Sequence, residues 1–191
     1  MNETTALLGS LRGTVLEIGP GAGTSLRHYA PQVRWIGVEP NARRRDLVRS
    51  EADRLGRHAE VRSGRAERLD QDDGSVDAVV ATFVLCSVSD QAAALGELFR
   101  VLRPGGRYVF AEHVAAPRGT WLRRAQHVAT ALGALTGDRC RADRDTLPAI
   151  ERAGFDVVEL RLNTRAGPFG VAIPHIAGAA VRPAHTGEDT R

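Results

Sequence analysis

The sequence predicts an α/β protein with a mostly parallel sheet, an antiparallel last strand and helices on both faces. Short apolar runs that end in loop residues alternate with segments of helical periodicity, and this alternation is typical of strand–helix–strand units. The segment 76–83 is mostly apolar, as expected for a central strand that is covered on both faces. A Gly-Pro turn joins the last two apolar runs, and so close a connection requires antiparallel strands.

Seven strands and four helices follow from this pattern in chain order. The strands are expected at 14–18, 33–38, 59–62, 76–83, 107–111, 155–162 and 171–181. The helices are expected at 42–55, 91–102, 120–135 and 145–152. Gly56, Pro104 and Gly154 follow three of these helices, and glycine and proline commonly end a helix.

The chain is expected to form a single domain over residues 1–182, with a flexible tail at 183–191. Its 191 residues suit one domain with a buried core, and the last residues are polar and contain proline and glycine. A helical insertion at about 118–143 is expected to lie over the active site, because insertions at this edge of a sheet often form substrate walls. The first strand begins so early that little N-terminal lid is expected.

Charge and cysteine content exclude several classes of protein. The net charge of +3 comes from arginines interspersed with acidic residues, which argues against a nucleic-acid partner. We find no signal peptide and no run of about 18 apolar residues, so a cytoplasmic protein without an integral membrane anchor is expected. Cys86 and Cys140 have no paired spacing, which predicts neither a disulfide scaffold nor a metal site. We expect Cys140 to be a packed small side chain without a catalytic role.

The motif with the clearest chemical meaning is the glycine run directly after the first strand. Gly19, Gly21 and Gly23 allow the backbone to pass close to a ligand. Their G-x-G-x-G spacing differs from the G-x-G-x-x-G of dinucleotide enzymes. Glu17, inside the strand, would repel a pyrophosphate but suits an ammonium group. Taken alone, the run is equally compatible with a tight turn.

Further positions at the same sheet edge complete a ligand site. Glu39 ends the second strand about 20 residues after the first glycine, where a carboxylate can accept hydrogen bonds from both ribose hydroxyls. Ala66 and Glu67 follow the third strand, and Thr82 and Phe83 end the fourth. Together these positions describe a site for an adenosine that carries a charged amino-acid tail.

The order of these motifs from residue 15 to residue 107 resembles the class I S-adenosylmethionine-dependent methyltransferases, with a methyltransferase type 11 domain. The resemblance rests on the glycine run, Glu39-Pro40-Asn41, Ala66-Glu67, the segment 73–80 and Leu102-Arg-Pro-Gly-Gly106. It implies a Rossmann-like fold and S-adenosyl-L-methionine as cofactor. The implied cofactor-binding residues are Glu17, Gly19, Gly21, Gly23, Glu39, Pro40, Ala66, Glu67, Thr82 and Phe83. Arg65 stands where many members carry Asp, so the polar contact to adenine is transferred to Glu67.

A narrower resemblance covers nearly the whole chain. The segments 83–88, 112–115 and 174–178, with Trp121, Gly137-Asp138 and Cys140, are similar to mammalian membrane-associated alkyl-thiol methyltransferases. Bacterial relatives of that group resemble enzymes that cap thiols in sulfur-containing natural products, and we expect this chain to be without the hydrophobic N-terminal anchor of the mammalian proteins. The resemblance implies methyl transfer to the thiol of a small apolar molecule, with a natural-product dithiol and natural-product self-protection as one option.

The acceptor is expected at the end of the fifth strand, where Glu112 and His113 lie. The antiparallel last strand returns His175 to the same edge, so His113 and His175 are the candidate catalytic residues. Either histidine could instead only hydrogen-bond a loop. The apolar positions Trp121, Leu122, Ala125, Val128 and Leu132 recur at helical spacing and are either a roof over the acceptor or ordinary core packing.

Other functions stay open at this point. One alternative is N- or O-methylation of a small molecule, a phospholipid head group or a quinone precursor. A second is a nicotinamide oxidoreductase, against which Glu17 and the glycine spacing argue. A third is a nucleic-acid modifier or a cofactor-binding module without catalysis. A monomer or a homodimer fits the sequence equally well.

The glycine run, Glu17 and Glu39 lead to a first prediction about ligand binding. S-adenosylmethionine and S-adenosylhomocysteine should each raise the melting temperature, because a ligand that binds only the folded state stabilises it by about 2.7 kcal/mol at hundredfold saturation. Differential scanning fluorimetry measures the shift, with NAD as the matched control ligand. Equal stabilisation by NAD would contradict the assignment of the cofactor.

Overall fold

The computed structural model describes residues 3–137, 140–166 and 172–184. Seven strands lie within these ranges: β1 (Thr14–Ile18), β2 (Arg34–Val38), β3 (Glu60–Arg62), β4 (Val76–Thr82), β5 (Leu102–His113), β6 (Asp156–Ala166) and β7 (Ala172–Val181). The α-helices are α1 (Glu3–Ser10), α2 (Ala42–Arg54), α3 (Gln91–Val101), α4 (Trp121–Thr136) and α5 (Thr146–Arg152), and Leu26–His28 form a short 3₁₀ turn.

All seven strands form one sheet in the order β3-β2-β1-β4-β5-β7-β6. Strands β1 to β5 pair in parallel, whereas β7 pairs antiparallel with both β5 and β6. This confirms the predicted seven-stranded α/β fold with an antiparallel last strand. From β1 the chain adds β2 and β3 on one side, and then returns to add β4 and β5 on the other side of β1. Ligands of open α/β sheets bind at such a switch point, beyond the carboxyl ends of the strands.

The core consists of two apolar layers, one on each face of the sheet. Leu98 of α3 and Ile150 of α5 pack on one face, together with Phe110. Leu8 of α1 and Val48 of α2 pack on the other. Burial on both faces explains why the central strand β4 is almost continuously apolar, and it confirms that helices cover both faces.

The N-terminal helix α1 was not expected from the sequence. It has only eight residues, and so short a helix is marginal in isolation because nucleation is costly. Leu7, Leu8 and Leu11 are nevertheless buried against the sheet, so packing rather than local propensity stabilises α1. The expectation of little N-terminal lid did not include this helix.

Strand β5 begins at Leu102, five residues before the predicted start. Leu102 pairs with Val76, and the next pair joins Arg107 to Ala78, so the glycine-containing segment between them forms a bulge that the strand accommodates. The other predicted strand starts in the described residues lie within one residue of the observed ones. The Gly-Pro turn, Asp138 and residues 185–191 lie outside the described residues; the single domain, its tail and the oligomeric state stay predictions.

Helix α4 is attached to the rest of the fold mainly through polar side chains. Trp121, Val128 and Leu132 are 70%, 59% and 59% exposed, so the interpretation of these three residues as core packing is wrong. Gln126 is buried and bonds the backbone of the segments on either side of α4. Arg123 binds both carboxylate oxygens of Asp145, at 2.8 and 2.9 Å. No helix in the described ranges combines the length and apolar character that a membrane crossing needs.

Two glycine positions give a matched test of how tightly β7 packs against β6. Gly178 of β7 lies so close to β6 that a Cβ atom would collide with the carbonyl oxygen of Glu159. We expect Gly178→Ala to lower the free energy of unfolding by at least about 1–3 kcal/mol. Gly96 of α3 has open space around it, so Gly96→Ala should raise this free energy by about 0.5–1 kcal/mol. Urea unfolding measures both, and a Gly178→Ala variant of wild-type stability would contradict the packing.

Candidate active site

Two neighbouring cavities lie at the carboxyl ends of the central strands. The first, of about 790 Å³, is lined by Glu17, Gly19, Gly21, Thr82, Phe83, Ala111, Asn163 and His175, among others. The second, of about 480 Å³, is lined by Gly19, Glu39, Pro40, Ala66, Glu67 and Phe83, among others. Gly19 and Phe83 line both cavities, so the two form one extended site around these residues.

The glycine run forms the turn between the two cavities. Gly19 and Gly21 have φ angles of 58° and 59°, a conformation that glycine adopts without the cost that other residues incur. A Cβ atom on Gly19 would lie 2.7 Å from Cγ2 of Val84, so the strand end requires glycine for space as well. Gly23 belongs to neither set of lining residues and packs against Val48 of α2 instead.

Glu17 is a buried carboxylate at the wall of the first cavity. Its Oε2 atom accepts hydrogen bonds from Ser25 Oγ at 2.9 Å, Tyr29 Oη at 2.7 Å and Trp35 Nε1 at 3.0 Å. Burial raises the pKa of this carboxyl, and the three hydrogen bonds counteract the rise. A cationic ligand group would stabilise the charged form further. No sequence motif connects Tyr29 and Trp35 to Glu17, so these two contacts could not be predicted.

Glu39 joins the glycine run to the end of β2. It is 1% exposed, and its carboxylate accepts from the backbone N–H of Asn41 at 3.0 Å and of Gly21 at 3.3 Å. A carboxylate fixed in this way at the second cavity is well placed to accept hydrogen bonds from vicinal hydroxyls of a ligand. Glu67 accepts from the backbone N–H of Ser89 at 2.8 Å, which fixes its side chain at the same cavity.

Phe83 forms the wall that both cavities share. Among the described residues it is the one non-glycine residue with a positive φ, 55°, and residues held in this strained region often occur at functional sites. Its backbone N–H donates to the carbonyl of Ala111 at 2.7 Å, which ties the end of β4 to β5. Its ring centroid lies 4.6 Å from that of His113 and 6.2 Å from that of His175.

The two candidate catalytic histidines occupy facing positions on adjacent strands. His113 on β5 pairs with His175 on β7, which confirms that the antiparallel strand returns to the same edge. Their surroundings differ, because His175 lines the first cavity whereas Nδ1 of His113 lies 3.5 Å from Sγ of Cys140 and 3.9 Å from Sγ of Cys86. Of the two, His175 is better placed to meet a ligand in that cavity.

The expectation that Glu112 faces the acceptor is wrong. Glu112 is fully buried, and its carboxyl group accepts from the backbone N–H groups of Val84, Leu85 and Cys86 at 3.0, 3.0 and 3.3 Å. Burial raises the pKa of Glu112 to about 8. Successive side chains of a strand point to opposite faces, so Glu112 points away from the face that Ala111 and His113 share.

Helix α1 also contributes to the first cavity. Thr4, Thr5 and Leu8 are among its lining residues. No local motif marks these residues, so their place in the cavity wall could not be predicted from the sequence. The first cavity thus has walls from both ends of the chain, since Asn163 and His175 come from β6 and β7.

Comparison with known proteins identifies the family to which this site belongs. The sequence pattern of the methyltransferase-domain family matches residues 16–110. Human thiol S-methyltransferase TMT1A is 38% identical over 174 residues, which are 88% of this chain and 70% of the human protein. The chain belongs to the S-adenosylmethionine-dependent methyltransferases. It is an enzyme of that class, and S-adenosylmethionine is its cofactor.

Two further methyltransferases show how far the similarity extends. Phosphatidylethanolamine N-methyltransferase of Cereibacter sphaeroides is 32% identical over 119 residues, 61% of this chain and 59% of that protein. The structure of geranyl diphosphate C-methyltransferase from Streptomyces coelicolor, which contains S-adenosyl-L-homocysteine, has a TM-score of 0.74 at 20% identity and covers 93% of this chain and 78% of that one. At this identity the structural likeness shows the shared fold.

The two cavities suggest how this methyltransferase holds its cofactor. We propose that the adenosine lies in the second cavity, with Glu39 on the ribose and Ala66 and Glu67 near the base. The methionine moiety then enters the first cavity past Gly19 and Gly21, and its ammonium group meets the Glu17 carboxylate. Phe83 and Thr82 flank the sulfonium centre between the two halves.

Replacement of Glu39 tests this placement of the ribose. We expect Glu39→Ala to weaken S-adenosylmethionine binding by about 2–3 kcal/mol, because bonds to a charged acceptor contribute about 1.5–3 kcal/mol each and water replaces part of them. Isothermal titration calorimetry on the folded variant measures the loss. Asp46→Ala is the matched control, since Asp46 is an exposed acidic residue of α2 paired with Arg49. An unchanged affinity of Glu39→Ala would mean that the ribose is held elsewhere.

Proposed function

We propose that this methyltransferase transfers the methyl group of S-adenosylmethionine to the thiol of a small apolar molecule. The observation that carries the proposal is the extent of its similarity to thiol S-methyltransferase TMT1A, which continues well beyond the methyltransferase domain at 16–110. The similarity to the phosphatidylethanolamine enzyme covers a smaller share of the chain. Residues outside the cofactor half therefore favour sulfur over nitrogen as the acceptor atom.

The sheet provides room for an acceptor beside the cofactor. Glu17 lies on β1, and His175 lies on β7, three strands away in the order β1-β4-β5-β7. Neighbouring strands are about 4.8 Å apart, so these two positions of the first cavity are separated by about 14 Å. The methionine moiety occupies the β1 side, and the acceptor takes the side formed by Ala111, Asn163 and His175.

The main task of the protein in this reaction is to hold the acceptor sulfur in line with the methyl group of the cofactor. The acceptor thiolate attacks the methyl carbon in line with the departing sulfonium sulfur, so that a carbon–sulfur bond forms as another breaks. The products are a methyl thioether, S-adenosylhomocysteine and a proton. A free thiol with a pKa of about 8.5 is already partly ionised near neutral pH, so a strong base is unnecessary. His175 is positioned to orient the thiol or accept its proton, and His113 supports the wall through Phe83.

Two further features of the proposal concern the acceptor and the compartment. We include natural-product dithiols among the acceptors, because capping such thiols would protect the cell that makes them. A cytoplasmic location agrees with the absence of a disulfide at Cys86 and Cys140 in the described residues, since cysteines stay reduced in that compartment.

A panel of acceptors tests the proposal directly. The enzyme is incubated with methyl-labelled S-adenosylmethionine and matched apolar thiols, amines and phenols, and the products are identified by mass spectrometry. We expect label on the thiols, and His175→Ala should lower kcat/KM about 10- to 100-fold, or about 1.4–2.7 kcal/mol, with cofactor affinity unchanged. His58→Ala, at an exposed site after α2, serves as the control. Methylation of amines or phenols without any thiol product would refute the sulfur assignment.

A further inference from the structure

Three potential metal ligands from distant parts of the chain meet beside the cofactor site. Sγ of Cys86, Nδ1 of His113 and Sγ of Cys140 all lie within 4.8 Å of one another. Cys86 follows β4, His113 ends β5, and Cys140 precedes α5. The proposed methyl transfer uses neither cysteine, so this cluster calls for a separate explanation.

The spacing of the three atoms is close to that of a tetrahedral zinc site. Zinc binds thiolate sulfur at about 2.3 Å and imidazole nitrogen at about 2.0–2.1 Å, so tetrahedral geometry places a sulfur and a nitrogen ligand about 3.6 Å apart. The distances from His113 Nδ1 are 3.5 Å to Cys140 Sγ and 3.9 Å to Cys86 Sγ. An ion could therefore be coordinated with only small shifts of these side chains.

The backbone that carries the ligands is fixed by contacts that do not involve the three side chains. The carbonyl of Cys86 accepts from the backbone N–H of Arg141 at 2.7 Å, which joins the segments of the two cysteines. Arg144 donates to the carbonyls of Leu85 and Val88, which gives the same two segments a second connection. Ligands held on a fixed backbone lose little freedom when an ion binds, which favours affinity.

The chemistry of the donors selects the kind of ion. Two thiolates balance a divalent charge, and a sulfur-rich set favours thiophilic metals over magnesium or calcium. Ser87 Oγ lies 3.6 Å from Cys86 Sγ, so its hydroxyl can donate a hydrogen bond to a metal-bound sulfur and hold that ligand in place. Two cysteines and one histidine leave a tetrahedral ion one open position, as in catalytic rather than structural zinc sites. His113 and Cys140 are half-buried, so solvent or a small ligand can reach that position.

We propose that Cys86, His113 and Cys140 form a binding site for a thiophilic divalent cation, Zn²⁺, with one coordination position open. This revises the expectation from sequence spacing that the chain has no metal site. Because the His113 ring packs against that of Phe83 in a tilted arrangement, a bound ion would fix the wall that the two cavities share. The site exists independently of which atom the enzyme methylates.

Zinc titration of the reduced full-length protein tests the proposal. The protein is treated with reductant and chelator, freed of both, and titrated with Zn²⁺ against a chromophoric chelator. We expect one ion per chain with submicromolar affinity, and at least a 100-fold weaker affinity in Cys140→Ser. Co²⁺ should give sulfur-to-metal charge-transfer absorption that Cys140→Ser reduces. His127→Ala is the control, because His127 pairs with Asp143 outside the cluster and its loss should change neither measurement.

The alternative for two adjacent thiols is a disulfide, and the experiment separates the two. Reduced protein that takes up no zinc, but loses both thiols on mild oxidation, would overturn the metal site. So would zinc affinity that is equal in wild type and Cys140→Ser. Cys86 is buried, so Cys86→Ser is compared only after its thermal unfolding without metal matches that of the wild type. If that variant does not fold, Cys140→Ser and His113→Ala decide the outcome.

Discussion

The buried carboxyl group of Glu112 is the contact on which the active-site edge depends. It accepts three consecutive backbone N–H groups of the loop after β4, and each buried N–H left without an acceptor would cost about 1–3 kcal/mol. That loop carries Cys86 and follows directly on Phe83, whose positive φ must be maintained by its surroundings. Glu112 thus acts on the site from the opposite face of the sheet.

Two buried carboxyl groups have different tasks because their donors differ. Glu112 accepts from three backbone N–H groups and lines neither cavity. Glu17 is held by side chains of Ser25, Tyr29 and Trp35 at one oxygen and lines the first cavity. In both cases burial raises the pKa of the carboxyl group. The two glutamates therefore differ in their hydrogen-bond donors and in their access to the cavity, and these decide that Glu112 holds a loop whereas Glu17 can contact a ligand.

Local patterns in the sequence were enough to predict the sheet and the convergence of Glu17, Glu39 and the glycine run at the carboxyl ends of its strands. Strand periodicity, the glycine run and the position of Glu39 after β2 depend on neighbours in the chain, and the structure brings Glu39 and Gly21 within hydrogen-bonding distance. The antiparallel return of His175 followed from topology in the same way.

What could not be predicted depends on contacts between distant segments. Helix α1 forms because the sheet offers it an apolar surface. Cys86 and Cys140 are brought together by the guanidinium of Arg144 and by one backbone hydrogen bond of Arg141. Neither contact can be predicted from the spacing of residues along the chain. The direction of Glu112 likewise depends on which face of β5 the loop after β4 crosses.

The polar attachment of α4 has a consequence for how this protein can diversify. Several of its large apolar side chains are exposed and contribute little to the core. Thr130, Ala131 and Ala134 of the same helix line a groove with Ser87, Val88 and Ser89 at the edge of the cofactor site. Substitutions in α4 can therefore alter this groove while the sheet and the glycine run keep their packing. Surface positions away from core features tolerate exchange at a cost within about 0.5 kcal/mol. New acceptor preferences can accumulate in this helix during evolution without first passing through an unstable enzyme.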